Sequence, residues 1–163
     1  MPTMLTLEQW LERYGQSHQN RHNILLHKIC VPTILFTVYG LLWSIPLPPG
    51  LRGLISLGGI GYANIASAVF LGGMLFYLRL SRPIAAGMAL LSLAMLALLG
   101  WLQAAGADIL ALSLGLFVLA WIGQFIGHKI EGKKPSFFED LQFLLIGPAW
   151  TLAAWYRALG IRY

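Results

Sequence analysis

Charged residues are scarce in this chain of 163 residues. Asp, Glu, Lys and Arg together make up 10% of it, against about 25% in an average soluble domain. Hydrophobic residues make up 58%, and the mean hydropathy is +0.70. Too few charges are present to cover the surface of a water-soluble fold, and the same balance excludes a disordered chain, a collagen and a nucleic-acid-binding domain. We therefore expect an integral membrane protein.

Cysteine is almost absent, because Cys30 is the only one, so the fold relies on no internal disulfide. Residues 1–23 also lack the basic start, short apolar core and cleavage site of a removable signal peptide. We expect the first spanning helix to serve as the insertion signal. The short chain, without an added tail or retention signal, favours a bacterial inner membrane.

Long uncharged stretches predict four transmembrane helices in two hairpins. A helix needs about 20 apolar residues to cross a bilayer. The apolar residues here are continuous rather than alternating, which excludes the strands of a membrane barrel. The predicted spans are 29–51, 53–78, 83–107 and 109–127, with connections at 46–52, 79–82 and 104–108. The predicted fold class is an all-α membrane bundle in one domain, with an interfacial segment at 1–23, a core at 24–128, and a loop and tail at 129–163.

Both ends of the chain predict helices at the membrane surface. Near the N-terminus, apolar residues with the spacing i, i+3, i+4, i+7 predict an amphipathic helix. These residues are Leu7, Trp10, Leu11 and Tyr14. The uncharged stretch 141–156 is interrupted at Gly147-Pro148, which predicts a re-entrant or interfacial helical hairpin. Its aromatic residues expected at the lipid headgroups are Trp150, Trp155 and Tyr156.

The basic residues predict the orientation. With the N-terminus in the cytoplasm, ten of the eleven Lys and Arg residues lie on the cytoplasmic side, and only Arg52 lies on the far side. The positive-inside rule describes this asymmetry. Topology therefore explains the net charge of +5 without a nucleic-acid partner.

The four predicted spans bring all four histidines to one side. His18, His22 and His27 precede the first span, and His128 ends the fourth. Two hairpins return the chain to the side on which it began. Two distant histidine-bearing segments are therefore predicted to meet at the cytoplasmic boundary of the membrane.

Polar residues share one helix face in each of these segments. Asn20, Asn23 and His27 are spaced i, i+3, i+7. His18 and His27 are nine residues apart, so they would point to opposite sides of one straight helix. A helix that begins near Asn20, a favoured N-cap, removes that conflict. The face predicted for the second segment holds Trp121, Gln124, His128 and Glu131.

These polar residues are candidates for a metal site. Histidine is the commonest metal ligand, and histidine with carboxylate suits non-haem Fe(II) that keeps open coordination positions. The candidate ligands are His18, His27 and His128, and the candidate fourth ligands or orienting groups are Glu131, Asn20, Asn23 and Gln124. Interfacial histidines bonded to headgroups or backbone carbonyls are the alternative, because no compact signature such as HExxH is present. His22 lies off the shared face and is interpreted as a surface residue.

The two polar segments resemble motifs of the Mpo-type membrane proteins. The first is Tyr14-Gly-x-x-His18-x-Asn20-x-x-Asn23-x-x-x-His27-x-x-x-x-Pro32. The second is Gln124-Phe-x-Gly127-His128-x-x-Glu131-x-x-x-Pro135, and Gly147-Pro148 fits the tail. The resemblance extends over nearly the whole chain. This family contains a fungal 2-hydroxy fatty acid dioxygenase of fatty acid α-oxidation.

The resemblance implies an Fe(II)-dependent dioxygenase that uses O2 to shorten a 2-hydroxy fatty acid by one carbon. Such an acid can chelate iron through its carboxylate and hydroxyl oxygens. The expected catalytic residues are His18, His27, His128 and Glu131, and the expected orienting residues are Tyr14, Asn20, Asn23 and Gln124. Lys129 and Lys133 are weaker candidates for attracting the carboxylate. The expected partners are a 2-hydroxy long-chain fatty acid and the lipid bilayer.

Two other functions remain open from the sequence. A haem protein would use two histidines from different helices as axial ligands. A non-enzymatic transporter or assembly factor is the second alternative. The predicted spans carry almost no ionisable residue at mid-depth, where ion relays normally lie, which disfavours transport.

Overall fold

The computed structural model describes residues 5–52, 54–57, 59–134 and 143–163. Within them the helices are α1 (Leu7–Gly15), α2 (Arg21–Trp43), α3 (Pro49–Arg52), α4 (Ile65–Leu80), α5 (Arg82–Ala104), α6 (Ile109–Glu131) and α7 (Phe143–Ala158). Two short strands, β1 (Ser56–Leu57) and β2 (Ile60–Gly61), pair antiparallel with Ser56 opposite Gly61. The predicted helical class is confirmed apart from this strand pair.

Three of these helices are long and apolar enough to cross a membrane: α2, α5 and α6, with 23 residues each. α4 is apolar but has 16 residues, fewer than the about 20 that a spanning helix needs. Large apolar side chains are exposed on the outer faces of the long helices, among them Ile29, Leu90 and Leu119. Such a surface is unfavourable in water, so it agrees with a membrane protein.

The prediction of one helix over 53–78 is wrong for its first part. The described residues there form a turn and the strand pair, with Gly59 at a φ of 79°. α4 begins after Asn64, whose side-chain oxygen accepts a hydrogen bond from the N–H of Ser67 at 3.0 Å. A run without charges does not by itself distinguish a helix from a short hairpin. Here a glycine turn and the cap at Asn64 favour the hairpin.

Helices α2 and α6 pack along each other and carry the two histidine segments. A Cβ atom added at Gly123 would lie 2.6 Å from Sγ of Cys30, and one added at Gly127 would clash with Oδ1 of Asn23. Two glycines four residues apart are typical of closely packed membrane helices. This close approach positions the end of α6 against the start of α2.

The predicted amphipathic helix is present as α1, but its apolar face packs against protein. Thr6 and Gln9 form a capping box at its start. The four residues of its apolar face are all buried: Leu7, Trp10, Leu11 and Tyr14. Trp10 meets Phe143 of α7 edge to face, with ring centroids 5.5 Å apart. The amphipathic pattern identifies a face that needs burial, and α7 rather than lipid covers it.

The tail forms one continuous helix where a hairpin was predicted. α7 runs through Gly147 and Pro148, while residues 141 and 142 lie outside the described part. Proline removes the hydrogen bond to the carbonyl four residues earlier, and that residue, Leu144, lies in the first turn, so most of the helix is unaffected. Trp150, expected at the headgroups, is buried instead, whereas Trp155 is 53% exposed.

Candidate metal centre

Three histidines converge where α2 begins and α6 ends. His18 lies in the loop before α2, His27 in α2, and His128 in the last turn of α6. Asn20 is the N-cap of α2, and its side chain accepts a hydrogen bond from the N–H of His22. The predicted helix start after His18 is confirmed, and it lets His18 and His27 meet. All three converging rings are buried, whereas His22 is exposed.

The three rings form a compact cluster. Their candidate ligand nitrogens lie within 4.8 Å of one another. Nε2 of His27 and Nε2 of His128 are 3.2 Å apart. The ring centroid of His18 is 4.2 Å from that of His27 and 5.3 Å from that of His128. Two nitrogens that bind one ion at about 2.1 Å are at most about 4.2 Å apart, and the His27–His128 pair lies within that limit.

Backbone carbonyls orient two of the rings. Nδ1 of His18 lies 2.6 Å from the carbonyl oxygen of Tyr14, and Nδ1 of His27 lies 3.0 Å from that of Asn23. A carbonyl can only accept, so each Nδ1 donates and each Nε2 keeps its lone pair. Nε2 of His18 is buried without a hydrogen-bond partner. An unpartnered buried nitrogen is costly, and a metal ion would use its lone pair, so the donor set fits a metal.

Burial also favours the neutral form of His18. Desolvation lowers the pKa of this histidine, although the carbonyl of Tyr14 and the charge of Glu131 act in the opposite direction. Metal binding requires a neutral imidazole. The ring of His18 therefore offers its free nitrogen near pH 7 without first losing a proton.

The carboxylate of Glu131 bonds to the start of α2 rather than joining the cluster. Its Oε1 accepts from the N–H of Gln19 at 2.9 Å. Its Oε2 accepts from the N–H of Asn20 at 2.9 Å and from Nδ2 of Asn23 at 3.0 Å. A helix N-terminus favours a negative charge. Glu131 thereby ties the loop before α2 to the end of α6.

Aromatic side chains pack around His18. The ring of Tyr14 stacks on it, with centroids 4.3 Å apart and planes at 7°, and the centroid of Trp150 is 5.4 Å away. A Cβ atom at Gly147 would lie 2.9 Å from the hydroxyl of Tyr14, so this close approach needs glycine. Trp150 was missed as part of the site. The signal that could have found it is the helical spacing of the buried residues Phe143, Ile146, Trp150 and Ala153.

An apolar cavity of about 360 Å³ begins at the cluster. Its polar end is formed by His27, His128, Gln124 and Tyr14. Along α2 its wall extends from His27 to Tyr39, which at 1.5 Å per residue is about 18 Å. One leaflet of a bilayer has a hydrocarbon layer of about 15 Å, so the part of α2 that lines the cavity is about as long as one lipid tail.

The lysines predicted to attract a carboxylate do not line this cavity. Lys129 is exposed, and the ammonium group of Lys133 donates to the carbonyl of Gln16 at 2.6 Å. Gln124 is the buried amide beside the histidines. The role of the two lysines stays a prediction, and Pro135 of the second motif lies outside the described residues.

Comparison with known proteins places the chain in a family. Residues 4–159 match the family described as 2-hydroxy-palmitic acid dioxygenase Mpo1-like. The chain belongs to the Mpo1-like family. A relative in Saccharomyces cerevisiae, 2-hydroxy-palmitic acid dioxygenase MPO1, is 32% identical over 162 residues, which cover 96% of this chain and 83% of the relative. No solved structure matches the chain.

In this Mpo1-like chain the two motifs meet at the histidine cluster. The first motif supplies His18 and His27 together with the carbonyls that orient them. The second supplies His128 and the carboxylate that holds the two segments together. The resemblance predicted from the sequence is therefore confirmed at the level of the family.

Proposed function

We propose that this chain is a non-haem Fe(II)-dependent dioxygenase that shortens 2-hydroxy long-chain fatty acids by one carbon with O2. The observation that carries the proposal is a cluster of three buried imidazoles, two of which, His27 and His128, line an apolar cavity. The family and a yeast relative that is named as a 2-hydroxy-palmitic acid dioxygenase support an oxygenase-type enzyme.

In this proposal the three histidines hold the ion. Bound Fe(II) would supply activation of O2, with open positions for the carboxylate and hydroxyl oxygens of the substrate. The carbonyls of Tyr14 and Asn23 keep the rings of His18 and His27 from rotating, as supporting hydrogen bonds commonly do at metal sites. Both oxygens of Glu131 already accept hydrogen bonds, so we assign it a positioning role rather than a fourth ligand.

The cavity would bind the substrate with its head at the histidines and its tail along α2. Gln124 is 5% exposed at the polar end, where its amide can donate to the carboxylate. Within the described residues no Lys or Arg lines the cavity, so the charge of the ion would balance the carboxylate. Lys129 and Lys133 would attract the acid only from a distance.

The overall conversion balances with O2 as the oxidant. Cleavage of the C1–C2 bond of a 2-hydroxy acid by one O2 gives an acid one carbon shorter, CO2 and water. The carbon that carries the hydroxyl becomes the new carboxyl carbon, and the old carboxyl carbon leaves as CO2. The alternative products are an aldehyde one carbon shorter, CO2 and hydrogen peroxide, and the mass of the aldehyde differs from that of the acid.

The proposed setting is a bilayer crossed by the three long helices α2, α5 and α6, with the 16-residue α4 as a shorter fourth crossing. In this setting the distribution of Lys and Arg supports an orientation with the histidine end in the cytoplasm. A site at the membrane boundary suits an acid whose head is polar and whose tail is apolar. The comparison is with a yeast protein, so the expected bacterial inner membrane gains no support from it.

The cluster disfavours haem, and the bundle disfavours transport. Axial histidines lie on opposite faces of a haem, whereas Nε2 of His27 and of His128 are 3.2 Å apart with His18 beside them. Away from the cluster, no Asp, Glu, Lys, Arg or His is buried inside the described helices. Ion and proton relays normally use ionisable groups.

Anaerobic loading with Fe(II), followed by O2 and 2-hydroxypalmitate, tests the function. Mass spectrometry is expected to show pentadecanoic acid or its aldehyde, in an amount that depends on Fe(II). Palmitate, which lacks the chelating hydroxyl, is the control substrate and is expected to remain unchanged. A loaded protein that gives no shortened product, or a Soret band from bound haem, would contradict the proposal.

A further inference from the structure

The face of α4 that lines the cavity has three residues at four-residue intervals: Val69, Gly73 and Tyr77. Tyr77 is 2% exposed, and its hydroxyl donates to the carbonyl of Leu145 in α7 at 2.7 Å. Tyr77 packs in the same buried cluster as Tyr14 and Trp150, whose rings lie against His18, so this end of the face points toward the histidines. Val69 is 46% exposed, so the other end borders the outer surface. Gly73 lies between the two.

Gly73 is a glycine that packing does not explain. A Cβ atom at Gly87 would clash with the hydroxyl of Tyr156, and one at Gly100 with that of Tyr62. A Cβ atom at Gly73 would meet no atom within 4 Å. Glycine is also a poor residue for the middle of a helix. Because Gly73 has no side chain, the cavity stays open at this position.

We propose that Gly73 sets the longest acyl chain that the cavity accepts. The inference rests on the proposed function, because it names how that site selects among 2-hydroxy fatty acids. Between Gly73 and Val69 the wall of α4 rises about 6 Å, which is about four carbon–carbon bonds. A side chain at Gly73 would fill the cavity at this level and exclude the end of a long tail. The head of the acid, at the histidines, would be unaffected.

The neighbouring Gly72 provides a matched control. It is exposed and does not line the cavity, and a Cβ atom there would also meet no atom within 4 Å. Leucine at Gly72 or at Gly73 adds the same side chain to the same turn of α4, so both changes alter helix propensity equally. Only the second places that side chain in the cavity.

The kinetic test compares 2-hydroxyoctanoate with 2-hydroxypalmitate in Gly73→Leu, Gly73→Ala and Gly72→Leu. Since a single methylene in an apolar pocket changes selectivity by about 10-fold to 200-fold, Gly73→Leu is expected to lower kcat/KM for the long acid by about 100-fold. Its kcat/KM for the short acid is expected to equal that of the wild-type protein. For the long acid, the kcat/KM of Gly73→Ala is expected to lie between those of the wild-type protein and Gly73→Leu. The same chain-length profile in Gly73→Leu and Gly72→Leu would overturn the proposal.

A binding measurement separates this inference from the proposed function. Trp121 lines the cavity and is one of six tryptophans. The quenching of fluorescence by fatty acids that carry bromine at the last carbon is therefore measured in the metal-free protein with and without Trp121→Phe, and the difference reports the cavity. Quenching by a long brominated acid is expected to be lost in Gly73→Leu and kept in Gly72→Leu, while a short acid quenches both. This quenching pattern would support the role of Gly73 even if the protein turned over no 2-hydroxy acid. Absence of turnover would contradict only the proposed function. Equal quenching by the long acid in both variants would overturn the role of Gly73.

Discussion

Alanine in place of His27 is expected to abolish metal retention and to lower turnover of 2-hydroxypalmitate by more than about 100-fold. Loss of a residue that only supports a ligand already lowers metal affinity or activity by about 10-fold to 100-fold. The ring of His27 is 1% exposed, and its Nε2 faces that of His128. Removing it leaves two donors and an empty space beside them. His18→Ala and His128→Ala are expected to have the same effect, measured as metal per protein and as initial rate.

His22→Ala is the matched control, because His22 is an exposed histidine of the same helix whose ring lies outside the cluster. Surface substitutions change the free energy of unfolding by about 0.5 kcal/mol or less. Metal content and rate are therefore expected to stay within about twofold of the wild-type values. An equal loss in His22→Ala would show that the ligand assignment is wrong, as would a full complement of metal in any of the other three variants.

Glu131→Gln separates positioning from ligation. If Glu131 only holds the loop before α2 against α6, its replacement is expected to weaken metal affinity by about 10-fold to 100-fold. The rate at saturating Fe(II) would then recover to that of the unchanged chain. A rate that stays low at saturating Fe(II) would instead indicate that this carboxylate acts on the metal or the substrate.

Gly127→Ala is expected to have the second largest effect, because it separates the helices that carry the histidines. The added Cβ would clash with Oδ1 of Asn23, a residue that is fully buried. Overpacking of this kind destabilises a fold by about 1–3 kcal/mol. Moving α2 away from α6 would also separate His27 from His128. We expect a lower melting temperature in detergent together with a loss of bound metal.

Gly115→Ala is the control for this change, since Gly115 lies on the same helix and a Cβ there would meet no atom within 4 Å. Alanine is the better helix former by about 1 kcal/mol, so this variant is expected to be as stable as the unchanged chain or slightly more stable. If both alanine variants melted alike and kept their metal, close packing at Gly127 would not be what positions the site.

The histidine cluster was predictable because it depends on features that a sequence displays directly. The cap at Asn20 fixes where α2 begins, and the polar spacing on each segment fixes which side chains share a face. The proposed chemistry of these residues came from the resemblance to the Mpo-type proteins. The exposure of His22 was also predictable, because its position departs from the shared face.

Other elements could not be predicted because apolar residues do not specify what buries them. The face of α1 suits lipid and protein equally, and the fold buries it against α7. Trp150 was expected at the headgroups for the same reason, yet it packs beside His18. The uncharged run before α4 satisfies the composition of a span, while its glycines and Asn64 form a hairpin and a cap.

The hydrogen-bond partners of Glu131 could not be predicted, since they are more than 100 residues away in sequence. Spacing placed Glu131 on the same face as His128, which suggested a fourth ligand or an orienting group. The hydrogen bonds to Gln19, Asn20 and Asn23 show a carboxylate that caps a helix across the helix–helix contact. Only the packing of α6 against α2 reveals this.

X-ray absorption at the iron edge of the Fe(II)-loaded protein tests the central claim most directly, because it reports which groups bind the metal. Three imidazoles are expected around a single iron, without the pattern of a porphyrin, and the imidazole signal is expected to fall in His27→Ala. Iron that shows no imidazole scattering, or the scattering of a haem, would contradict a non-haem site built from His18, His27 and His128.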